Sequence, residues 1–374
     1  MTPVVVIAGG GTGGHVFPGL AVASALGKLA DVEVVFVGSP RGLEKELVPA
    51  RGFRLEVLDV APMKGGGASR AIRGALVAAR ATWRARRLVR SLAPAAVLSV
   101  GGYAAGPMAL ASALAGVPLA ILEPNGVPGL ANRILAPLAK RAYVAWPSAR
   151  VSARVVHPVG VPLRDGFDAS PYRAGASARV LVMGGSQGAR AINDAMPEAF
   201  AAIAARTPRA RLEIVHQAGR GNDEALRAKY DALGLRADVR PFLDDVAGEL
   251  RRADVVVARS GAGTVAEVAA VGRAAVLVPF PFAADDHQRA NAEALAREGG
   301  AVCVVQSEAT PARLADAIGA LLDDPAKREA MAAAARRMGR PRAAWDVAED
   351  LLHLANIPLR PAKPKTNGHV VGAS

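Results

Sequence analysis

Short apolar runs of strand length alternate with longer stretches of helical periodicity along most of the chain. In the first part the runs fall at residues 4–8, 33–37, 54–60, 96–99, 119–122, 142–145 and 155–159, with helices between most of them. A run that is apolar at consecutive positions fits a strand covered on both faces, and strands alternating with helices predict a parallel sheet with helices on either side. After a Gly/Ala/Ser/Pro-rich stretch at 168–177 the opening pattern returns. Val180-Leu181-Val182-Met183 runs into glycines and a helix near Arg190, and further runs follow at 212–216, 239–242, 255–258, 275–279 and 301–305. The expected fold is therefore α/β, with two Rossmann-like domains whose parallel sheets face a cleft. Residues 1–162 would form the first domain, 163–340 the second, and 341–356 a helix packing back on the first. Residues 357–374 are rich in Pro, Lys and Gly without apolar periodicity and read as a disordered tail.

Three of the junctions between strand and helix are turns rich in glycine. The first is Gly9-Gly10-Gly11-Thr12-Gly13-Gly14-His15, the second Gly184-Gly185-Ser186-Gln187-Gly188-Ala189, and the third Arg259-Ser260-Gly261-Ala262-Gly263-Thr264. Glycine admits positive φ and a close ligand, and the following helix points unpaired N–H groups and its positive dipole end at the same place, so an anion is the natural occupant. In doubly wound folds such turns open at the carboxyl ends of the strands, where ligands bind. Glu267 lies about one turn into the third helix, placed to accept hydrogen bonds from two ribose hydroxyls. The competing reading makes it a first-turn acid favoured by the helix dipole. His15, at the mouth of the first helix, is the candidate general base, since an unperturbed imidazole titrates close to neutrality. A histidine that only hydrogen-bonds its loop is the alternative.

Charge sharpens this picture. Lys plus Arg number 46 against 33 Asp plus Glu, a formal charge of +13, which suggests an anionic partner: nucleic acid, a membrane surface or a phosphate-bearing substrate. Aromatic residues make up only 4%, and no basic run is interleaved with Phe or Tyr, so nucleic acid is the weakest of the three. Seven arginines and no acid lie between Arg70 and Arg90. At helical spacing Ile72, Leu76, Ala79 and Trp83 form one apolar stripe, and Val77, Ala81, Leu88 and Leu92 another, a pattern suited to packing on a sheet with one side and on an anionic bilayer with the other. Residues 91–122 carry no charge, yet their prolines and glycines would break a membrane-spanning helix several times. Met1-Thr2-Pro3 lacks the basic start of a secretory signal. The single cysteine, Cys303, sits in the apolar run 301–305 and reads as a buried strand residue; a reducing cytoplasm fits. No Asp-x-Asp motif stands beside a strand end, so no metal or other cofactor is expected.

Taken together, the motifs resemble the MurG family of bacterial N-acetylglucosaminyltransferases. The matching segments are Gly10 to Gly19, Gly101-Gly102-Tyr103-Ala104-Ala105-Gly106-Pro107, Gly184 to Arg190, Arg259 to Thr264 with Glu267, and Asp286-His287-Gln288 with Asn291, in family order. The resemblance implies the two-domain GT-B fold. It also implies inverting transfer of N-acetylglucosamine from UDP-N-acetylglucosamine to the C4 hydroxyl of undecaprenyl-diphosphate-linked N-acetylmuramoyl-pentapeptide, by a peripheral enzyme on the cytoplasmic face of the inner membrane. Carried onto this chain, uracil would be held by backbone around Phe242 and Leu243, and ribose by Glu267. The diphosphate would lie on Ser186, on Thr12, Gly13 and Gly14, and on Ala262, Gly263 and Thr264, with Asn125, Arg164 and Gln288 completing the contacts. Where relatives read His-Glu-Gln-Asn this chain has Leu122-Glu123-Pro124-Asn125, and where they read Gly-Asn-Pro-Val-Arg it has Gly160-Val161-Pro162-Leu163-Arg164. Another enzyme of the same fold, such as a UDP-N-acetylglucosamine epimerase or a different lipid-linked hexosyltransferase, is the alternative.

Overall fold

A computed structural model describes residues 2–60, 68–102, 104–147, 149–174, 178–185, 187–206 and 212–361, with backbone alone at 68–78. The first half runs β1 (Val4–Gly9), α1 (Gly13–Leu29), β2 (Glu33–Gly38), α2 (Glu44–Leu47), β3 (Arg54–Val57), α3 (Ala68–Leu92), β4 (Ala96–Gly101), α4 (Ala105–Leu114), β5 (Leu119–Glu123), α5 (Leu130–Leu135), β6 (Arg141–Val144) and β7 (Val156–Pro158). The second half runs β8 (Ala178–Met183), α6 (Arg190–Arg206), β9 (Leu212–Gln217), α7 (Asp223–Ala232), β10 (Ala237–Arg240), α8 (Val246–Arg252), β11 (Val255–Ala258), α9 (Ala262–Val271), β12 (Ala274–Leu277), α10 (His287–Arg297) and β13 (Val302–Cys303), followed by α11 (Pro311–Leu322), α12 (Pro325–Met338) and α13 (Ala343–Leu354).

Every strand pairing is parallel. The sheet orders are β3-β2-β1-β4-β5-β6-β7 and β10-β9-β8-β11-β12-β13. The consecutive apolar residues follow from this arrangement, because alternate side chains enter cores on opposite faces. Val5, Ile7, Leu98 and Leu122 enter one core of the first half, and Val6, Ala8, Val97 and Ile121 enter the other. The second sheet divides Val180, Val182 and Val257 from Leu181, Met183 and Val256 in the same way. In both sheets the strand order reverses between the first and fourth strands of the half, β1 with β4 and β8 with β11. All three glycine turns therefore open at the switch points where doubly wound folds take ligands.

The segment after α13 and two strand edges depart from the sequence reading. The helix α13 joins the first half: Val347, Ala348, Leu351 and Leu352 are buried in its core, and the Tyr143 hydroxyl donates to Asp350 at 2.7 Å. Residues 357–361, expected to open a disordered tail, are docked instead, with Ile357 buried in that core and the Arg360 N–H donating to the Leu29 carbonyl at 2.6 Å. Residues 362–374 lie outside the described residues. The strand expected over 54–60 leaves the ladder at Val57, although Leu58 still donates its N–H to Gly38 at 2.9 Å. Cys303 is on a strand but only half-buried, because β13 is a two-residue edge with one neighbour.

Candidate active site

The first turn is built by backbone geometry that L-residues resist. Gly9, Gly10 and Gly11 hold φ of +137°, +145° and +93°, and the Gly10 N–H donates to the Gly101 carbonyl at the end of β4 at 3.1 Å. Thr12 occupies the N-cap of α1 without its side chain capping, so the Gly13 and Gly14 N–H groups have no partner among the described residues. His15 is the third residue of α1. Its Nδ1 is buried with no hydrogen-bond partner, and burial pushes the imidazole pKa below the usual value. The Glu123 carboxylate, the Val100 backbone and Glu44 oppose that shift, while His287 from the second half adds to it. At neutral pH the ring is therefore a neutral proton acceptor.

Glu123, buried at the end of β5, organises the turn that follows. It accepts from the Asn125 N–H at 3.0 Å and Nδ2 at 3.3 Å, and from the Gly129 N–H and Asn132 Nδ2, each at 2.9 Å. Asn125 is thereby fixed against the second half. Asn291 of α10 accepts the Gly126 N–H at 2.9 Å, donates to Asn125 Oδ1 at 3.4 Å, and donates to the Ser260 carbonyl at 3.2 Å. Sequence reading placed Asn291 in a motif without a role; the structure makes it a polar joint across the cleft.

The second and third turns border a cavity of about 780 Å³, whose lining includes Gly14, Gly184, Gly185, Gly188, Arg259, Gly261, Thr264, Phe280, Gln288 and Gln306. In α9, Val265 donates to the Gly261 carbonyl at 3.0 Å, and the N–H groups of Ala262, Gly263 and Thr264 have no partner among the described residues. Glu267 is the sixth residue of α9, beyond the first turn, which corrects the reading of it as a dipole-stabilised first-turn acid. Its carboxyl is half-buried and unpartnered among the described residues. Burial pushes its pKa up to about 7, against the pull of the Arg164 charge. Arg164 itself is exposed and lies 5.4 Å over the Phe167 ring. The Leu243 side chain is in the core, which leaves its backbone for any ligand, while Phe242 is exposed. Gln288 accepts the Phe280 N–H at 3.1 Å, and its own carbonyl accepts from Ser260 Oγ at 2.8 Å. Ser186 and Tyr103 lie outside the described residues.

Of the described residues proposed for the site from sequence, the cavity gathers Gly14, Thr264 and Gln288, whereas Thr12, Gly13, His15, Asn125, Arg164, Leu243, Ala262, Gly263 and Glu267 stand outside its lining. Arg259 is the cation that sequence reading left without a role. Its guanidinium donates to the Val278 and Pro279 carbonyls at 3.2 and 3.1 Å and to Gln306 at 2.6 Å, with no carboxylate partner among the described residues. A charged residue directly between a buried strand and a Ser-Gly turn was the available signal. A second cavity, of about 410 Å³, lies where the halves join, walled by Trp146, Val161, Leu163 and Met338, and lacks the glycine turns.

Two family models match in tandem: the glycosyltransferase family 28 N-terminal domain over residues 5–144 and the family 28 C-terminal domain over residues 179–347. The chain belongs to glycosyltransferase family 28. It is similar to a protein of Sorangium cellulosum named UDP-N-acetylglucosamine--N-acetylmuramyl-(pentapeptide) pyrophosphoryl-undecaprenol N-acetylglucosamine transferase, 52% identical over 366 residues, 95% of this chain and 89% of the relative. A Pseudomonas fluorescens protein of the same name is 42% identical over 94% of this chain and 99% of its own. Among solved structures, MurG of Acinetobacter baumannii superposes with a TM-score of 0.80 at 34% identity, covering 94% of this chain and all of that one. The family 28 halves are the two parallel-sheet domains facing a cleft, which is the GT-B architecture.

Proposed function

We propose that this family 28 glycosyltransferase moves N-acetylglucosamine from UDP-N-acetylglucosamine to the C4 hydroxyl of undecaprenyl-diphosphate-linked N-acetylmuramoyl-pentapeptide, with inversion at the sugar. The observation that carries the reading is 52% identity over nearly the whole chain to a protein named for this transfer. The proposed roles divide between the halves. The second half takes the donor: uracil on the backbone at Phe242 and Leu243, ribose on Glu267, and diphosphate on Ser186 and on the free N–H groups of Ala262, Gly263 and Thr264. Asn125, Arg164 and Gln288 complete the sugar and phosphate contacts, and the first half, whose turn Thr12-Gly13-Gly14 also faces the donor diphosphate, takes the acceptor side of the cleft. The neutral imidazole of His15 accepts the proton of the attacking hydroxyl. The new glycosidic C–O bond forms as the bond to UDP breaks, and the helix N-termini and Arg164 stabilise the departing diphosphate.

The acceptor's lipid places this work at a membrane, and α3 offers the docking surface. Ala81, Ala85 and Val89 form its buried stripe, while Trp83 is 55% exposed beside Leu114, which is 65% exposed. Arg80, Arg84, Arg86, Arg87 and Arg90 are all exposed around them, and Arg87 lies 3.7 Å over the Trp83 ring. Ile72, Leu76 and Val77 of the proposed stripes lie where side chains are not described. Among the described residues no helix is long and apolar enough to cross a membrane. Peripheral attachment to the cytoplasmic face of the inner membrane is the arrangement this favours.

The test is release of UDP from UDP-N-acetylglucosamine with and without the lipid-linked muramoyl acceptor, with the lipid product weighed by mass spectrometry. Acceptor-dependent release and a product heavier by one N-acetylhexosamine are expected. Loss of UDP without acceptor, accompanied by a free altered sugar, would replace transfer with epimerase-type chemistry.

A further inference from the structure

Glu44 opens α2, and its carboxylate is almost fully buried, with no cation paired to it among the described residues. Three donors hold it: the Gly11 N–H at 2.7 Å on one oxygen, and the Ser39 N–H and Oγ, each at 2.8 Å, on the other. The surroundings are cut to its shape. A Cβ at Gly10, Gly38 or Gly42 would run into the Glu44 side chain, so three glycines from two segments leave room for this one group. A carboxylate buried without a counter-charge is costly, and a packing role alone would be served by a neutral side chain of similar volume. The charge therefore has a use.

That use is legible in what the carboxylate touches. Gly11 would otherwise present its N–H with those of Gly13 and Gly14; Glu44 takes it and pins the turn from below, while Gly101 pins it at Gly10. Four residues on is His15, whose ring packs against Gly101 closely enough that a Cβ there would lie 3.0 Å from the imidazole. We infer that Glu44 is a positioning residue for the transfer reaction, its buried charge fixing the first glycine turn and thereby the ring of His15 at the acceptor hydroxyl. The inference rests on the reading of His15 as the base. Charged groups acting on that ring are Glu123 and Glu44 from the first half, which favour its protonated form, and His287 from the second, which disfavours it.

The decisive variant is Glu44→Gln, which keeps the shape but can accept on one side only, so either Gly11 or Ser39 loses its acceptor. Expected are UDP affinity as in the wild type, turnover lower by about tenfold to a hundredfold, and an acid limb of the kcat–pH profile displaced to lower pH. Gly38→Ala, which leaves Glu44 intact and pushes a methyl into its cage, should reproduce the loss of turnover; thermal melts identify any variant that fails to fold. The His15 ring is also titrated by NMR in histidine-labelled protein, assigned with a His15→Gln control, a measurement that needs no activity. If the wild type transfers no sugar but the ring titration moves in Glu44→Gln, the proposed function fails and the coupling stands. Wild-type turnover, limb and ring titration in a folded Glu44→Gln protein would overturn the inference.

Discussion

In the first half the turn after β1 leans on a buried carboxylate, whereas in the second the helix that follows β8 leans on an imidazole that stays neutral. Asn193 at the start of α6 donates to the Ala218 carbonyl at 2.8 Å and meets His216 Nε2 at 3.2 Å, and His216 Nδ1 meets the Tyr230 hydroxyl at 2.8 Å. His216 is wholly buried, and desolvation pushes its pKa down to about 3. Asp194, which lines the cavity there, is tied to Lys229 at 2.7 Å. The same backbone motif is thus braced with charge beside His15, the proposed base, and without free negative charge beside the turn proposed for the diphosphate. Both braces satisfy every buried group they use.

The sharpest break in this division of labour is chemical. His15→Ala removes the proposed proton acceptor from the first half and should lower kcat by about 10²- to 10⁴-fold, with UDP affinity nearly intact because the proposed donor site is centred on the second half. An equal loss of UDP binding in calorimetry would return His15 to a structural role. Glu267→Ala does the opposite, removing the proposed pair of charge-assisted ribose hydrogen bonds, worth about 1.5–3 kcal/mol each, so UDP should bind at least about a hundredfold more weakly. Unchanged affinity would remove Glu267 from the ribose site. The pKa of about 7 at Glu267 adds a sign. Binding needs the carboxylate, so protons are released on binding, and affinity should fall towards about tenfold per pH unit below that value. In Glu267→Gln that dependence should vanish.

A smaller effect separates the braces themselves. Between pH 6.5 and about 3 the unfolded chain holds a proton on His216 that the folded chain does not. Stability should therefore fall as the pH drops through that window, by at most about 1.4 kcal/mol per pH unit from this group. The loss of melting temperature between pH 7 and pH 5 should be smaller in His216→Asn than in the wild type, and hydrogen exchange at pH 5 should open β9 and α6 first. Equal losses in the two proteins would mean that the neutral brace carries no acid sensitivity.

How far the sequence revealed these sites follows from the range of the interactions involved. Strands were legible because burial on both faces writes itself as consecutive apolar residues, and the turns because only glycine tolerates φ such as the +145° of Gly10. Glu44 was not legible: in Glu44-Lys45-Glu46 it has the look of a solvated helix, and the donor that gives it meaning, Gly11, lies 33 residues away. Asn291 reaches Gly126 across 165 residues, and no periodicity announces such a pair. Ile357 was misread because a single apolar residue among prolines has no period, and only the groove beside α1 shows what it fills. Local rules found the scaffold and the glycine turns, while the groups that brace those turns emerged only with the fold.

The halves differ last in their surfaces. The first half carries the exposed Trp83 and arginines of α3 and the exposed Leu114 of α4, and docking there would bring a lipid-anchored acceptor to the first half. Trp83→Ser with Leu114→Ser should reduce co-sedimentation with phosphatidylglycerol vesicles by about threefold to tenfold, since both side chains are already half-exposed and give up only part of a full apolar burial. Arginines near an anionic surface contribute about 1 kcal/mol each, so raising the salt should weaken the binding that remains in the variant. Transfer to a short-chain, water-soluble acceptor should be unaffected by the two substitutions, because neither residue lines the cleft cavity. Equal vesicle binding by variant and wild type, or a wild type that fails to bind at low salt, would move the membrane contact away from α3.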